Sequence, residues 1–347
     1  MQAPMPECAD WNWSEMLDAF RSLGGVAENV VPGRGVTHRG LSPADPSQPV
    51  LLRVPQNLLF RSADVEFVGD GMRIRDSAGA SEAARDFFAR YESAFSWGAE
   101  GKSESLEVIR ALDALPPEIR AALMEEFDFG DVLEGDFTTR CQNRFLRSRE
   151  LLWANTPCIA PVIELANLDA SGLACEQTES CVEIAGHVSD EVLVSCADHD
   201  AFSMFRKSGC SSREPVAFSL PMQLKLGDRE IVIRRNRHEA IKRGPDRVPI
   251  TISAGGKIEL SYLMIGHAKF PRLSRGILRT LLREAGMQGA DEAFDCILRL
   301  NTMKFIKLLR ACEPHRSETI SHLRRAARFQ LEAMTCCIGS RELEPVS

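Results

Sequence analysis

The stretch from Arg144 to Gly209 constrains this chain most, because helical and extended patterns alternate there within a short span. An Arg-bearing segment, Leu146-Arg147-Ser148-Arg149, leads to the β-branched run Pro161-Val162-Ile163-Glu164-Leu165-Ala166-Asn167-Leu168. An acidic turn follows, then the apolar run Val192-Leu193-Val194-Ser195-Cys196, then a short helix ending at Lys207-Ser208-Gly209. Such a sequence of elements points to a site assembled at strand ends, which the rest of the chain completes or frames.

Spacing assigns the parts. Thr138 to Trp153 reads as one helix, on which Cys141, Phe145, Arg149 and Leu152 share a face at four-, four- and three-residue steps. Arg149 therefore sits in an apolar stripe, and a buried guanidinium needs a carboxylate or phosphate partner. Two partners are open: an internal salt bridge to Glu164, or the carboxylate of a ligand. Cys158 to Leu165 reads as a strand, and Asn167 to Gly172 as a turn. Cys181 to Ala185 and Glu191 to Cys196 read as two further strands, with Val192, Val194 and Cys196 on one side by the period of two. Asp198, His199 and Asp200 are adjacent on a loop, and adjacent residues seldom converge on one ion, so no metal site is expected. The 11 cysteines include no Cys-x-x-Cys pair and are expected to be free, mostly buried thiols.

Before this stretch, Trp13 to Leu23 places Trp13, Met16, Leu17, Phe20 and Leu23 on one helical face, and Gly24-Gly25 stops it. Gly33-Arg34-Gly35 between extended segments allows a tight turn and close approach of a ligand to main chain, as an ordinary hairpin turn also would. Leu51 to Leu59 reads as a strand interrupted at Pro55, as on a sheet edge. Val65 to Ile74 reads as a hairpin. Ser81 to Phe95 reads as a helix with Ala84, Phe87, Phe88, Tyr91 and Phe95 as its stripe, and two more helices span Ser105–Leu115 and Pro117–Phe127. After Pro215 come strands at Val216–Leu226, Glu230–Arg235 and about Lys257–Met264. Helices at Leu273–Ala285, Asp291–Ala311 and Arg316–Met334 follow, as in a small antiparallel bundle.

Charge and composition exclude some classes. A net charge of −7 over 347 residues argues against a dedicated nucleic-acid binder. No run of 18 apolar residues occurs, and the acid-bearing start (Glu7, Asp10) lacks the pattern of a secretory signal, so a cytoplasmic protein without a membrane partner is expected. Eight acids face one base, Arg120, between Asp113 and Asp136. That run is expected to form a solvated acidic face, with a surface for a cationic substrate as the sharper alternative.

Several of these strings, in this order, resemble the SET-domain methyltransferases of the type that includes the Rubisco large-subunit lysine methyltransferase and the actin histidine methyltransferase. Gly33-Arg34-Gly35 and Leu52-Arg53-Val54-Pro55 with Leu58-Leu59 resemble the family's opening Gly-x-Gly and Val-Pro-x-x-Leu-Leu strings. Leu146 to Arg149 resembles its Arg-bearing motif. Pro161 to Asn167 is similar to Pro-Leu-x-Asp-x-x-Asn-His, and Glu191 to Gly209 to the Glu-x-x-x-x-Tyr-Gly stretch and the helix after it. The resemblance implies an α+β fold: a β-rich, discontinuous SET domain at 13–61 and 137–217 and a mainly helical insertion at 62–136. A C-terminal region of strands and a helical bundle at 218–339 and a frayed tail at 340–347 complete it. It implies S-adenosylmethionine (SAM) as cofactor, with main chain at Gly33, Arg34 and Gly35 holding the methionine portion. Arg149 would pair with the cofactor carboxylate, Asn167 would hydrogen-bond the cofactor, and Leu168 would offer its backbone to the adenine. The implied activity is N-methyl transfer to a protein lysine or histidine or to a small amine. Two departures stand out: Leu168 replaces the family histidine, and Cys196 occupies the position of the catalytic tyrosine. A repurposed, non-catalytic SAM-binding protein acting through its helical surface is the alternative, and a helical interaction module without a ligand is a third reading.

Overall fold

A computed structural model of the chain describes residues 11–33, 40–195, 199–227, 229–235, 247–253 and 257–336. The chain divides into two compact units: Met1–Ile109 with Asp136–Ala197, and Arg110–Gly135 with Asp198–Ser347. This division differs from the expected insertion at 62–136, because only 110–135 separates from the first unit. It also runs earlier than the expected boundary at 218. Both units mix helices with several small sheets, so the fold is α+β.

In the first unit, the helix Trp13–Ser22 starts at a capping box, where Asn12 accepts from the Glu15 N–H and Glu15 reaches back to the Asn12 N–H. It buries Met16, Leu17 and Phe20. The central sheet orders Val26–Glu28, Val50–Pro55, Cys181–Gly186 and Glu176–Gln177, all antiparallel. Val50, Leu52 and Val54 point to the core at every second position, opposite the exposed Arg53. The strand bearing Pro55 is thus interior rather than the edge expected. Pro55 is tolerated there because it is the strand's last residue, and the ladder continues from the Gln56 N–H to the Ser180 carbonyl.

The hairpin Val65–Val68 with Gly71–Ile74 forms as expected. So does the helix Glu82–Phe95, capped by Ser81, which buries Ala84, Phe87, Phe88, Tyr91 and also Glu92. Phe20, Phe87, Phe88, Tyr91, Trp97 and Phe145 join the sheet residues in one continuous apolar core.

Three assignments in the Arg144–Gly209 stretch change. The helix ends at Arg149, and Glu150–Trp153 is a strand paired with Thr156–Ile159. Four residues at strand spacing, ending in a two-residue Ala154-Asn155 turn with positive φ, outweigh the helical stripe that reached Leu152. The strand expected at Cys158–Leu165 stops at Ile159, and a 3-10 turn covers Ile163–Leu165. Conversely, the expected turn at Asn167–Gly172 is the strand Asn167–Ala174, because its main chain finds partners in Leu193–Ser195.

In the second unit, Val216–Phe218 pairs with Met264–His267. A separate sheet orders Met222–Leu226, Arg229–Ile233, Ile258–Leu260 and Ile250–Ile252. The strand expected around Lys257–Met264 is therefore two strands in different sheets. Helices Leu273–Glu284, Ala290–Cys312 and Glu318–Thr335 follow. Asp200, fully buried, caps the helix Ala201–Ser208 through the Ser203 N–H and pairs with Arg235 at 3.1 Å. Of the eight cysteines described as free, Cys141, Cys158 and Cys312 are buried and Cys210 and Cys336 exposed, so the thiols are less uniformly buried than expected. Burial pushes the Cys158 and Cys312 thiols up to about 11.

Candidate functional site

The first unit brings several predicted residues to one place. Gly33 and Gly40 adjoin the paired strands Val30–Pro32 and Leu41–Pro43, and the Gly33 N–H donates to the Gly40 carbonyl at 2.8 Å. Gly40 has φ +131°, where an L side chain is strained. A Cβ there would lie 2.7 Å from Glu191 Oε1 and 3.3 Å from Asn167 Nδ2, so only glycine lets the backbone at this position approach these two side chains. Asn167 in turn donates to Glu191. Arg34, Gly35 and Cys196 lie outside the described residues.

The strand carrying Asn167 and Leu168 fixes this corner. Asn167 and Leu168 pair in parallel with Leu193 and Val194, and after an irregularity Leu173 and Ala174 pair with Val194 and Ser195. The Val192 N–H also donates to the Leu41 carbonyl at 2.7 Å. The 192–195 segment is thus bonded both to Leu41, next to Gly40, and to the Asn167 strand. Asn167, Leu168 and Glu191 are each half-buried.

Arg149 has a different setting from the ligand clamp that the resemblance implies. Its side chain is 10% exposed. Nη1 donates to the Glu164 carbonyl at 2.8 Å and lies 3.3 Å from Glu164 Oε2, and Nη2 reaches Glu104 at 3.5 Å. The internal partner left open by the sequence is the one found. Burial opposes the Arg149 charge, but Glu164 and Glu104 outweigh it and hold the guanidinium above its ordinary range. Arg144, also buried, adds contacts to Glu104 at 3.2 Å and Ser105 at 3.1 Å.

Beneath this ion pair lies a buried acid group that the sequence reading missed. The Tyr91 hydroxyl donates to Glu164 Oε1 at 2.7 Å and accepts from the Val162 N–H at 3.0 Å. Val162 is fully buried with φ +69° and ψ −52°, a γ-turn geometry that is rare for a β-branched residue and costs about 1–3 kcal/mol. Tyr91 and Arg149 therefore clamp the strained Pro161–Leu165 turn that delivers Asn167. Burial, then the nearby Glu164, push the Tyr91 hydroxyl well above its usual range. The same two causes push Glu92 well above the ordinary carboxylate range. Its Oε2 accepts from the Trp97 N–H at 3.4 Å. Within this group two guanidinium groups (Arg144, Arg149) face three carboxyl groups (Glu92, Glu104, Glu164). A proton on Glu92, which is 0% exposed, balances the charge. The missed signal was legible: Glu92 lies four residues after Phe88 and three before Phe95, on the apolar stripe itself. Glu191 and Gly40 carried no comparable local signal, since their proximity arises only through sheet pairing.

Among the described residues no group of three or more His, Cys, Asp or Glu could hold an ion. No protein-family model matches the chain, and no curated protein matches it.

Proposed function

We propose that this chain is a SAM-dependent N-methyltransferase that holds its cofactor at the corner formed by Gly33, Gly40, Asn167, Leu168 and Glu191. The observation that carries the reading is the approach of Gly40 to Asn167 and Glu191. Of these three, Asn167 is the residue that the family resemblance links to the cofactor, and Gly40 and Glu191, far from it in sequence, are its neighbours in the first unit. The donor set suits such a ligand. The Asn167 carboxamide both donates and accepts, and Glu191 accepts from ammonium or ribose hydroxyl groups. SAM, when bound, supplies a methyl group on a sulfonium for attack by a neutral amine or imidazole. The chain's own contribution is alignment of that nucleophile and exclusion of water. Arg149 serves in this reading as a support: by holding Glu164 it fixes the turn before Asn167.

A second reading, a SAM-binding protein without transfer, is favoured by the tyrosines. Tyr91 is 0% and Tyr262 2% exposed, and the Tyr91 hydroxyl is engaged by Glu164 and Val162. Single-turnover transfer from methyl-labelled SAM to lysine peptides, histidine peptides and free amines separates the two. Labelled product supports the enzyme. Bound SAM without labelled product supports the second reading, and absence of bound SAM removes both.

A further inference from the structure

The loop that joins the strand Met264–His267 to the helix Leu273–Glu284 exposes six consecutive residues: Ala268, Lys269, Phe270, Pro271, Arg272 and Leu273. Phe270 is 58% and Leu273 37% exposed, a cost in water that a folded chain normally avoids for adjacent large apolar groups. The tip is held in shape. His267 Nδ1 accepts from the N–H groups of Lys269 at 3.1 Å and Phe270 at 3.3 Å, and the imidazole meets the Phe270 ring edge-on at 4.9 Å. The Phe270 N–H also points to the His267 carbonyl, and the Leu273 N–H donates to the Phe270 carbonyl. Burial and Lys269 keep the His267 imidazole below its ordinary range, so Nδ1 remains an acceptor at neutral pH. A preorganised tip loses little freedom when it docks.

The charges carried by the tip and the helix after it, as far as Arg283, are of one sign. From Ala268 to Arg283 the chain carries five basic residues and no acid. Arg275 and Arg279 are paired with Asp291 or Asp295, whereas Lys269, Arg272 and Arg283 are exposed without an ion pair among the described residues. Arg272, Arg279 and Arg283 fall on one row of the helix by three- and four-residue spacing, while Leu278, Leu281 and Leu282 are buried on the other face. An apolar tip beside a cationic row is the pattern of an interfacial membrane contact. A polyphosphate chain would use the arginines but has no use for Phe270 and Leu273. The overall charge of −7 conceals this local inversion.

We propose that Phe270, Pro271 and Leu273 insert into the surface of an anionic bilayer, with Lys269, Arg272 and Arg283 against its headgroups. Each adjacent cation strengthens such binding roughly fivefold, and the attraction weakens with salt. The full chain is sedimented with phosphatidylcholine vesicles, with and without one-third phosphatidylserine. Binding to the anionic vesicles only, reduced at least about tenfold in Phe270→Ser/Leu273→Ser and weakened by salt, is the expected result. Met303→Ser/Ile306→Ser, which removes exposed apolar groups elsewhere on the unit, should leave it unchanged. No binding to anionic vesicles, equal binding to neutral ones, or full binding by the Phe270/Leu273 variant overturns the proposal. So does binding to heparin or duplex RNA that competes with vesicles and resists the Phe270/Leu273 change, which would assign the arginine row to a polyanion. Circular dichroism of each variant separates lost binding from lost folding.

Discussion

Glu92→Gln should change the pH dependence of stability of the first unit in a predictable direction. Glu92 is fully buried, and burial and Glu164 hold its carboxyl well above the unfolded value near 4.5. Below that value the group is protonated in both states and contributes no slope. Above it the unfolded chain gives up the proton while the folded unit keeps it. Each further pH unit then lowers the unfolding free energy by about 1.4 kcal/mol, until Glu92 ionises in place. Its favourable contribution is thus complete at low pH and lost as pH rises. Glutamine keeps the shape and cannot ionise, so the variant lacks this slope. Other carboxyl groups held low, such as Asp45 and Asp136, titrate alike in both proteins and cancel in the difference. All four tryptophans (Trp11, Trp13, Trp97 and Trp153) lie in the first unit, so their fluorescence in urea titrations reports that unit alone. The stability of the variant minus that of the wild type should rise as pH increases above about 5. A difference that stays flat from about pH 5 to about pH 9 would refute the protonated, buried Glu92.

Two related changes test the same cluster. Tyr91→Phe removes a donor to Glu164 and an acceptor for the buried Val162 N–H, and should cost about 2–4 kcal/mol by the same fluorescence assay; a loss below about 0.5 kcal/mol would mean the hydroxyl does not hold the turn. Arg149→Ala leaves Glu164 buried without its cation and should destabilise the first unit by about 3–5 kcal/mol. Unchanged stability with weakened SAM binding would instead make Arg149 a ligand clamp.

Much of the local structure was legible in residue spacing. The stripes on Trp13–Ser22 and Glu82–Phe95 and the hairpin at Val65–Ile74 follow from patterns a few residues long. The errors fall where distant pairing decides. Asn167–Ala174 carries Asn, Asp, Ser and Gly, a turn composition, yet becomes a strand because Leu193–Ser195 lies alongside. Its Gly172 admits this approach, since a Cβ would lie 2.6 Å from the Leu193 carbonyl. The candidate site divides the same way. Gly33, Arg149 and Asn167 could be named from short strings, and Glu164 as a partner for Arg149. Glu191 stands at the head of a matched string but its proximity to Gly40 had no local signal, because strand pairing brings the two together. The positive φ of Val162 has no sequence signal at all, since valine is among the residues least suited to it.

The measurement that tests the central claim most directly is calorimetric titration of SAM into the full chain and into Asn167→Ala and Gly40→Val. The account predicts binding by the wild type, roughly tenfold weaker binding by Asn167→Ala from the loss of one hydrogen bond, and none by Gly40→Val, whose side chain would enter the space against Glu191 and Asn167. Tryptophan fluorescence must show that both variants remain folded. No heat from the wild type, or equal affinity in all three folded proteins, would contradict it.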